Sequence, residues 1–227
     1  MADPADIFQA SSRGNATVLT FKSIMVDETK ILRLQGYRDQ SRVRPVIRRA
    51  ASAAARETEK LIQPAVQYRR LSVASCANGR LELVDGTVFQ NEAFRRLLKE
   101  VKQIYVFVLT MGHSLDDAVK DYIADDQLLN ALFLETAGWL GIEVATKLLA
   151  VHFKSLAEDT GCRLSPRLGP GYSYKLDGRS VFWPLEQQKV LFQLFSEPGI
   201  DVQLLESCAM LPKISRSGIF GLLPQNV

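Results

Sequence analysis

Six consecutive apolar residues, Ile104-Tyr-Val-Phe-Val-Leu109, constrain the fold more than any other segment. A strand that is apolar at every position leaves no face for water, so the segment predicts a strand buried on both faces. The chain around it must supply apolar cover, and hydrophobic residues make up 47% of its 227 residues, enough for a core of normal size.

The flanking pattern mixes strands and helices. Ala16 to Met25 and Val66 to Ser75 read as strands, and Leu81 to Phe89 as short hairpin strands around Asp85-Gly86. Asp27 resembles an N-cap for a helix through Leu34, which Gly36 ends. Val43 to Ile62 has helical spacing and stops before Pro64. Asn91 opens a helix to about Glu100, and Ser114 with Asp117 resembles a capping box. A long helix is expected from Asp125 or Asp126 to about Leu156. Residues 163–182, rich in Gly, Pro, Arg and Ser, read as loop. Trp183-Pro184 is expected to begin the next helix. Val202 to Leu205 and Ile214 to Leu222 read as short closing strands. There is no regular β-α-β-α alternation, so the expected class is α+β. Residues 1–15 are expected to be a flexible N-terminal segment before one α+β domain over 16–227.

Composition removes several functions. A net charge of +3 without a clustered basic stripe and stacking aromatics argues against nucleic acid. The three cysteines, Cys76, Cys162 and Cys208, lack CxxC spacing, and only His113 and His152 could join them, so no metal site is expected. The sparse, odd cysteine set fits a reducing compartment. No signal peptide is visible at the start, and the apolar stretch Leu128 to Ile142 is shorter than the roughly 20 residues of a membrane span. A cytoplasmic protein without membrane partners is the expectation.

Three segments carry the polar chemistry. Arg167-Leu-Gly-Pro-Gly-Tyr172 combines a carboxylate-binding fork, two glycines that permit close backbone approach, and an aromatic face. It suits a small zwitterionic or nucleoside ligand, or it is a structural turn with Arg167 paired to a surface acid. Trp183-Pro-Leu-Glu-Gln-Gln188 is by itself a helix start. Glu206-Ser-Cys-Ala-Met-Leu-Pro212 precedes Ser217-Gly218, a second tight point. Cys208 has no neighbouring base and reads as a small buried hydrophobe. The arginines from Arg38 through Arg56 are a solvated helix face or a docking face for an acidic partner.

In this order the segments Arg-x-x-x-Gly-Tyr, Trp-Pro-Leu-Glu-Gln, Glu-Ser-x-x-Met-x-Pro and Ser-Gly resemble the activation domain of cobalamin-dependent methionine synthase, over about Glu135 to Gly221. Ile31-Leu-Arg-Leu-Gln-Gly-Tyr37 and Leu109-Thr-Met-Gly112 resemble stand-alone relatives of that domain. The resemblance implies a mostly antiparallel twisted sheet with long helices packed on it. It implies S-adenosylmethionine bound along the loop: Arg167 on the methionine carboxylate, Gly169 and Gly171 as backbone contacts, and Tyr172 between ligand and corrin. Glu143 would accept from ribose hydroxyls or the ligand ammonium, or stay solvated. Asp27 aligns with a ligand-binding aspartate, or serves only as an N-cap.

The family's chemistry is reductive methylation of oxidised cobalamin. The partner's cobalt supplies the nucleophile, so no catalytic acid or base is expected here. The implied partners are a cobalamin-binding methionine synthase or another corrinoid protein, and a flavodoxin-like or other electron donor. The chain ends at Val227, before any counterpart of a later ligand-contacting tyrosine of the family, so a less enclosed site is expected. The rival expectation is a non-catalytic adaptor that docks a corrinoid methyltransferase without binding S-adenosylmethionine.

Overall fold

The computed structural model describes residues 7–225. Its centre is an antiparallel sheet. The strands are β1 (Phe8–Arg13), β2 (Ala16–Phe21), β3 (Ala65–Ala77), β4 (Arg80–Leu83), β5 (Val88–Gln90), β6 (Gln103–Thr110), β7 (Cys162–Leu164) and, after two small hairpins, the long β12 (Ser215–Pro224). The spatial order is β1-β2-β3-β6-β12-β7, with β4 and β5 extending from the far end of β3. The hairpins are β8 (Ser173–Leu176) with β9 (Arg179–Phe182), and β10 (Gln203–Leu204) with β11 (Met210–Leu211).

The helices are α1 (Glu28–Leu34), α2 (Pro45–Leu61), the short α3 (Phe94–Leu97), α4 (Ser114–Ala124), the 31-residue α5 (Leu128–Glu158) and α6 (Gln187–Gln193). β6 shows why the apolar run dictates the architecture. Tyr105, Phe107 and Leu109 pack with Ile142, Leu149 and Phe153 of α5. Ile104, Val106 and Val108 join Phe89, Phe94, Trp183 and Leu191 on the opposite face. Alternate residues of one strand thus feed two cores, as the period of two requires. A third cluster ties α1 and α2 to Phe133 and Ala137 of α5.

α5 is the long helix expected from sequence, displaced about two residues toward the C-terminus. By length and composition alone it would cross a membrane. Its buried side chains, including Phe133, Ile142, Leu149 and Phe153, instead make it the spine shared by two of the cores.

Several elements differ from expectation. Phe8–Arg13 is a strand paired with β2, not a loose segment, because its backbone completes the ladder although only Phe8 is buried; residues 1–6 lie outside the described residues. The stretch 163–182 holds β7 and the β8–β9 hairpin, which turns at Asp177-Gly178. The helix after Trp183-Pro184 begins at Gln187, since Trp183 is buried against Phe89 and Phe94. His113, without a side-chain cap, precedes α4, so Ser114 is its first residue rather than a capping-box N-cap. The helix after Asn91 is reduced to α3, with Glu100 in the left-handed region behind it.

Candidate functional site

The site forms where the loop after β7 meets β12. One edge of β12 pairs with β6, setting Arg216 opposite Leu109 and Gly218 opposite Phe107. On its other edge β7 reaches only Leu222 to Pro224, and the following segment continues the contact. Leu168 and Ile219 exchange two backbone hydrogen bonds, 2.9 and 2.7 Å. Ser165 Oγ accepts from the Gly221 N–H at 2.7 Å. Gly218 makes the approach possible: a Cβ there would lie 2.5 Å from the Leu168 carbonyl oxygen. Gly169 continues the close fit, since its Cβ would lie 2.9 Å from the Ser217 carbonyl oxygen.

Beyond Gly169 the loop is clamped twice. Tyr174 Oη accepts from the Gly169 N–H at 2.6 Å and donates to the Gly169 carbonyl at 3.0 Å. Burial pushes the Tyr174 phenol up, against a smaller opposing effect of the Gly169 bond, so the hydroxyl keeps the proton it donates. Gly171, at a positive φ of 84°, donates to the Trp183 carbonyl at 2.7 Å, and the Trp183 N–H donates to the Tyr172 carbonyl at 2.9 Å. Trp183 is fully buried and meets Phe89 and Phe94 edge-on, at 5.9 and 5.0 Å between ring centroids. The loop therefore hangs from an aromatic anchor inside the second core.

Beside it opens a cleft of about 340 Å³. Gly171, Tyr172, Trp139 of α5, Met210, Lys213 and Arg216 are among the residues that line it. The floor is polar and internally satisfied. Ser217 Oγ donates to Gln188 Oε1 at 2.9 Å, and Gln188 Nε2 donates to the Cys208 carbonyl at 2.8 Å. Cys208 is buried at the tip of the β10–β11 turn with φ 65°, matching its expected packing role.

The expected ligand residues are partly assembled. Gly171 and Tyr172 line the cleft. Arg167 stacks on the Tyr172 ring, with Cζ 4.3 Å from the centroid, and its Nη1 is buried without a hydrogen-bond partner. Arg167 and Gly169 are not among the cleft residues; Arg167 lines a separate apolar groove with Val151 and Phe220. Glu143 does not line the cleft: its carboxylate accepts from Arg216 Nη2 at 2.6 Å, while Arg216 Nη1 donates to Thr146 Oγ1 at 3.0 Å. The Arg216 bond holds the Glu143 carboxyl below the usual carboxylate range despite partial burial, which acts the other way. Asp27 caps α1, accepting from the Thr29 N–H at 2.8 Å, and is not among the cleft residues. Glu206 is exposed at the β10–β11 turn.

No family model and no curated protein sequence matches the chain. A solved structure described as the MetH reactivation domain bound to AdoHcy matches it with a TM-score of 0.67 at 15% sequence identity, covering 100% of this chain and 84% of that one. The fold is that of the MetH reactivation domain. Arg216, Lys213 and Trp139, which line the cleft, and Tyr174, which clamps Gly169, were not singled out from the sequence. Only Arg216 left a signal, as the lone charge in the closing strand segment Ile214 to Leu222.

Proposed function

We propose that this chain binds S-adenosylmethionine in the cleft beside Gly171 and Tyr172 and serves as a reactivation component for a corrinoid carried on a partner protein. The carrying observation is the loop itself. Glycines bring its backbone against β12 where any Cβ would collide, and Tyr174 and Trp183 fix it from behind. Such fixing prepays the ordering cost of a binding loop. The orphaned Nη1 of Arg167 is a donor suited to a carboxylate oxygen, and the exposed flank of Tyr172 and the Trp139 ring offer apolar surface for a nucleoside. The AdoHcy in the structural neighbour's description is consistent with this ligand class.

In this reading a corrinoid bound to the partner would supply the nucleophile, and the ligand's sulfonium would give up its methyl group and leave as the neutral thioether S-adenosylhomocysteine. The chain's own residues bind and orient; Arg167 and the loop backbone would hold the amino-acid end while Tyr172 stands at the opening. Orientation is a sufficient contribution for a methyl transfer that needs no protein acid or base. A methionine synthase divided among several chains is the proposed setting, with methionine biosynthesis as the process and a separate protein as electron donor. Calorimetric titration with S-adenosylmethionine tests the proposal. Saturable heat that Arg167→Ala weakens strongly is expected; no heat and no thermal shift at excess ligand would overturn it.

One observation favours a second reading. Glu143 is already bonded to Arg216, which removes one expected ligand contact. A chain that docks a corrinoid protein as an adaptor, without S-adenosylmethionine, would tolerate that loss. Co-purification with such a partner, unchanged by S-adenosylmethionine, would select it.

A further inference from the structure

A second groove, of about 360 Å³, lies between α5 and the segment after β7. Ala150, Val151, Leu164, Pro166 and Phe220 give it apolar walls, and Val151 is 46% exposed there. The neutral polar groups of the walls are already engaged within the fold. Thr146 Oγ1 donates to the Ile142 carbonyl at 2.7 Å and accepts from Arg216 Nη1 at 3.0 Å. Ser165 Oγ donates to the Pro166 carbonyl at 2.8 Å and accepts from the Gly221 N–H at 2.7 Å. Proline brings no N–H of its own. The remaining lining residues are cations, Lys147, Lys154 and Arg167, and among the described residues no Asp or Glu lines the groove.

The three cations are not equivalent. Lys154 is offset by Glu158 at 3.7 Å, with both side chains exposed. Arg167 and Lys147 have no ion-pair partner among the described residues. Their charges gather at one end, since both lower the Glu143 carboxyl, and that carboxyl is already held by Arg216 at 2.6 Å. Lys154 stands two turns further along α5, about 10 Å away at ~1.5 Å of rise per residue. A positive end and an apolar run therefore occupy separate parts of one groove. We propose that this groove binds a small amphipathic monocarboxylate, with the carboxylate on Arg167 and Lys147 and the apolar body along Ala150 and Val151. The proposal stands apart from the S-adenosylmethionine reading of the cleft. A guanidinium fork matches the two oxygens of a carboxylate, and the ammonium adds a point charge. The fork carries several N–H donors, so Nη1, which lies beside Gly169, need not be the one engaged. A zwitterion would bring its ammonium against the same cations. A neutral ligand would leave Arg167 unpartnered. A second anionic group on the ligand would be stranded against the apolar walls. One charge on an apolar body is the composition that meets each part of the groove.

The test is calorimetric titration of the full chain with octanoate, below the concentration at which it forms micelles. Saturation is expected with a Kd of about 1 mM or tighter, the range open to a ligand of about ten non-hydrogen atoms. Butanoate should bind at least about tenfold more weakly, since each buried methylene is worth about fourfold, from about 0.8 kcal/mol. Octanol, with the same chain and no charge, should also lose at least about tenfold, having no charge-assisted bonds to make. Added salt should weaken octanoate and leave octanol unchanged. Lys147→Gln should weaken octanoate about two- to fivefold, and Val151→Glu, which sets a like charge on the wall, at least about tenfold. Both side chains are exposed, so both variants are expected to fold, which circular dichroism melts check. Neither residue lines the cleft, so S-adenosylmethionine affinity should stay within about twofold in both. Absence of saturable octanoate binding, octanol bound as tightly as octanoate, or octanoate affinity that both variants leave unchanged overturns this inference. Octanoate binding as described by a wild type that does not bind S-adenosylmethionine upholds this inference and overturns the proposed function.

Discussion

Alanine at Gly218 attacks the contact that seats the Leu168–Tyr172 loop on the sheet. The new Cβ would stand 2.5 Å from the Leu168 carbonyl oxygen and 3.2 Å from Cε1 of Phe107. One neighbour is backbone and the other a fully buried ring, so neither can swing aside. Relief requires the segment around Leu168 to lift from β12, which stretches the two Leu168–Ile219 hydrogen bonds at 2.9 and 2.7 Å. Overpacking of this kind costs about 1–3 kcal/mol, and each weakened buried bond about 1 kcal/mol. A loss of about 3–5 kcal/mol should lower the melting temperature by about 6–20 °C for a chain of this length. Differential scanning calorimetry reads the shift, and titration with S-adenosylmethionine on the folded variant should show at least a roughly tenfold loss of affinity, about 1.4 kcal/mol. Gly169→Ala separates the two effects. Its Cβ would meet Arg167 Nη1 at 2.8 Å, the free end of a flexible side chain, and the Ser217 carbonyl at 2.9 Å. It should cost less stability, about 1–2 kcal/mol, while impairing binding as much. A Gly218→Ala protein melting within about 2 °C of wild type, under 1 kcal/mol on the same scaling, would refute the seating of the loop described above.

Tyr174→Phe removes the donor and the acceptor that clamp Gly169, leaving its N–H without that partner. It should cost about 1–3 kcal/mol by urea denaturation and weaken ligand binding; unchanged stability would deny the clamp. Asp27→Ala should lower stability by about 0.5–2 kcal/mol, the value of an N-cap, and leave S-adenosylmethionine affinity within twofold; a tenfold loss would restore the ligand role expected from sequence. His152 packs beside Phe8, Tyr68 and Phe153 with Nε2 buried and unpartnered, and burial holds its imidazole below the ordinary histidine value. The unfolded chain therefore binds this proton more readily, so the contribution to stability is full above about pH 6.5 and is lost as pH falls from there through the folded value. Melting curves from about pH 8 to 5 should converge less steeply for His152→Leu than for wild type; parallel curves would show that the ring is not protonated at the expense of the fold.

What the sequence disclosed followed from how strongly each segment is constrained. Ile104–Leu109 was legible because full burial allows only apolar residues, and the structure fills both of its faces. Asp27 as an N-cap and the turns at Gly36 and Gly171 were legible because each needs a particular residue chemistry. The β8–β9 hairpin was missed because its strands are four residues each and mostly exposed, so no alternation develops, although Asp177-Gly178 marked the turn. β1 was missed for a similar reason: at the sheet edge it exposes Gln9 to Arg13 and contributes mainly backbone. In the site, the loop Arg167–Tyr172 announced itself through its glycines. The pairing of Glu143 with Arg216 spans 73 positions and depends on α5 lying across β12, which no local pattern encodes. Tyr174 resembled any loop tyrosine until its hydroxyl was placed against Gly169.

Isothermal titration of the purified chain with S-adenosylmethionine, run beside Arg167→Ala, is the most direct test of the cleft as a ligand site. Saturation at one ligand per chain is expected, with affinity falling at least tenfold in the variant because the buried, unpartnered Nη1 of Arg167 is then gone. No saturable binding by the wild type, or equal binding by both proteins, would contradict it.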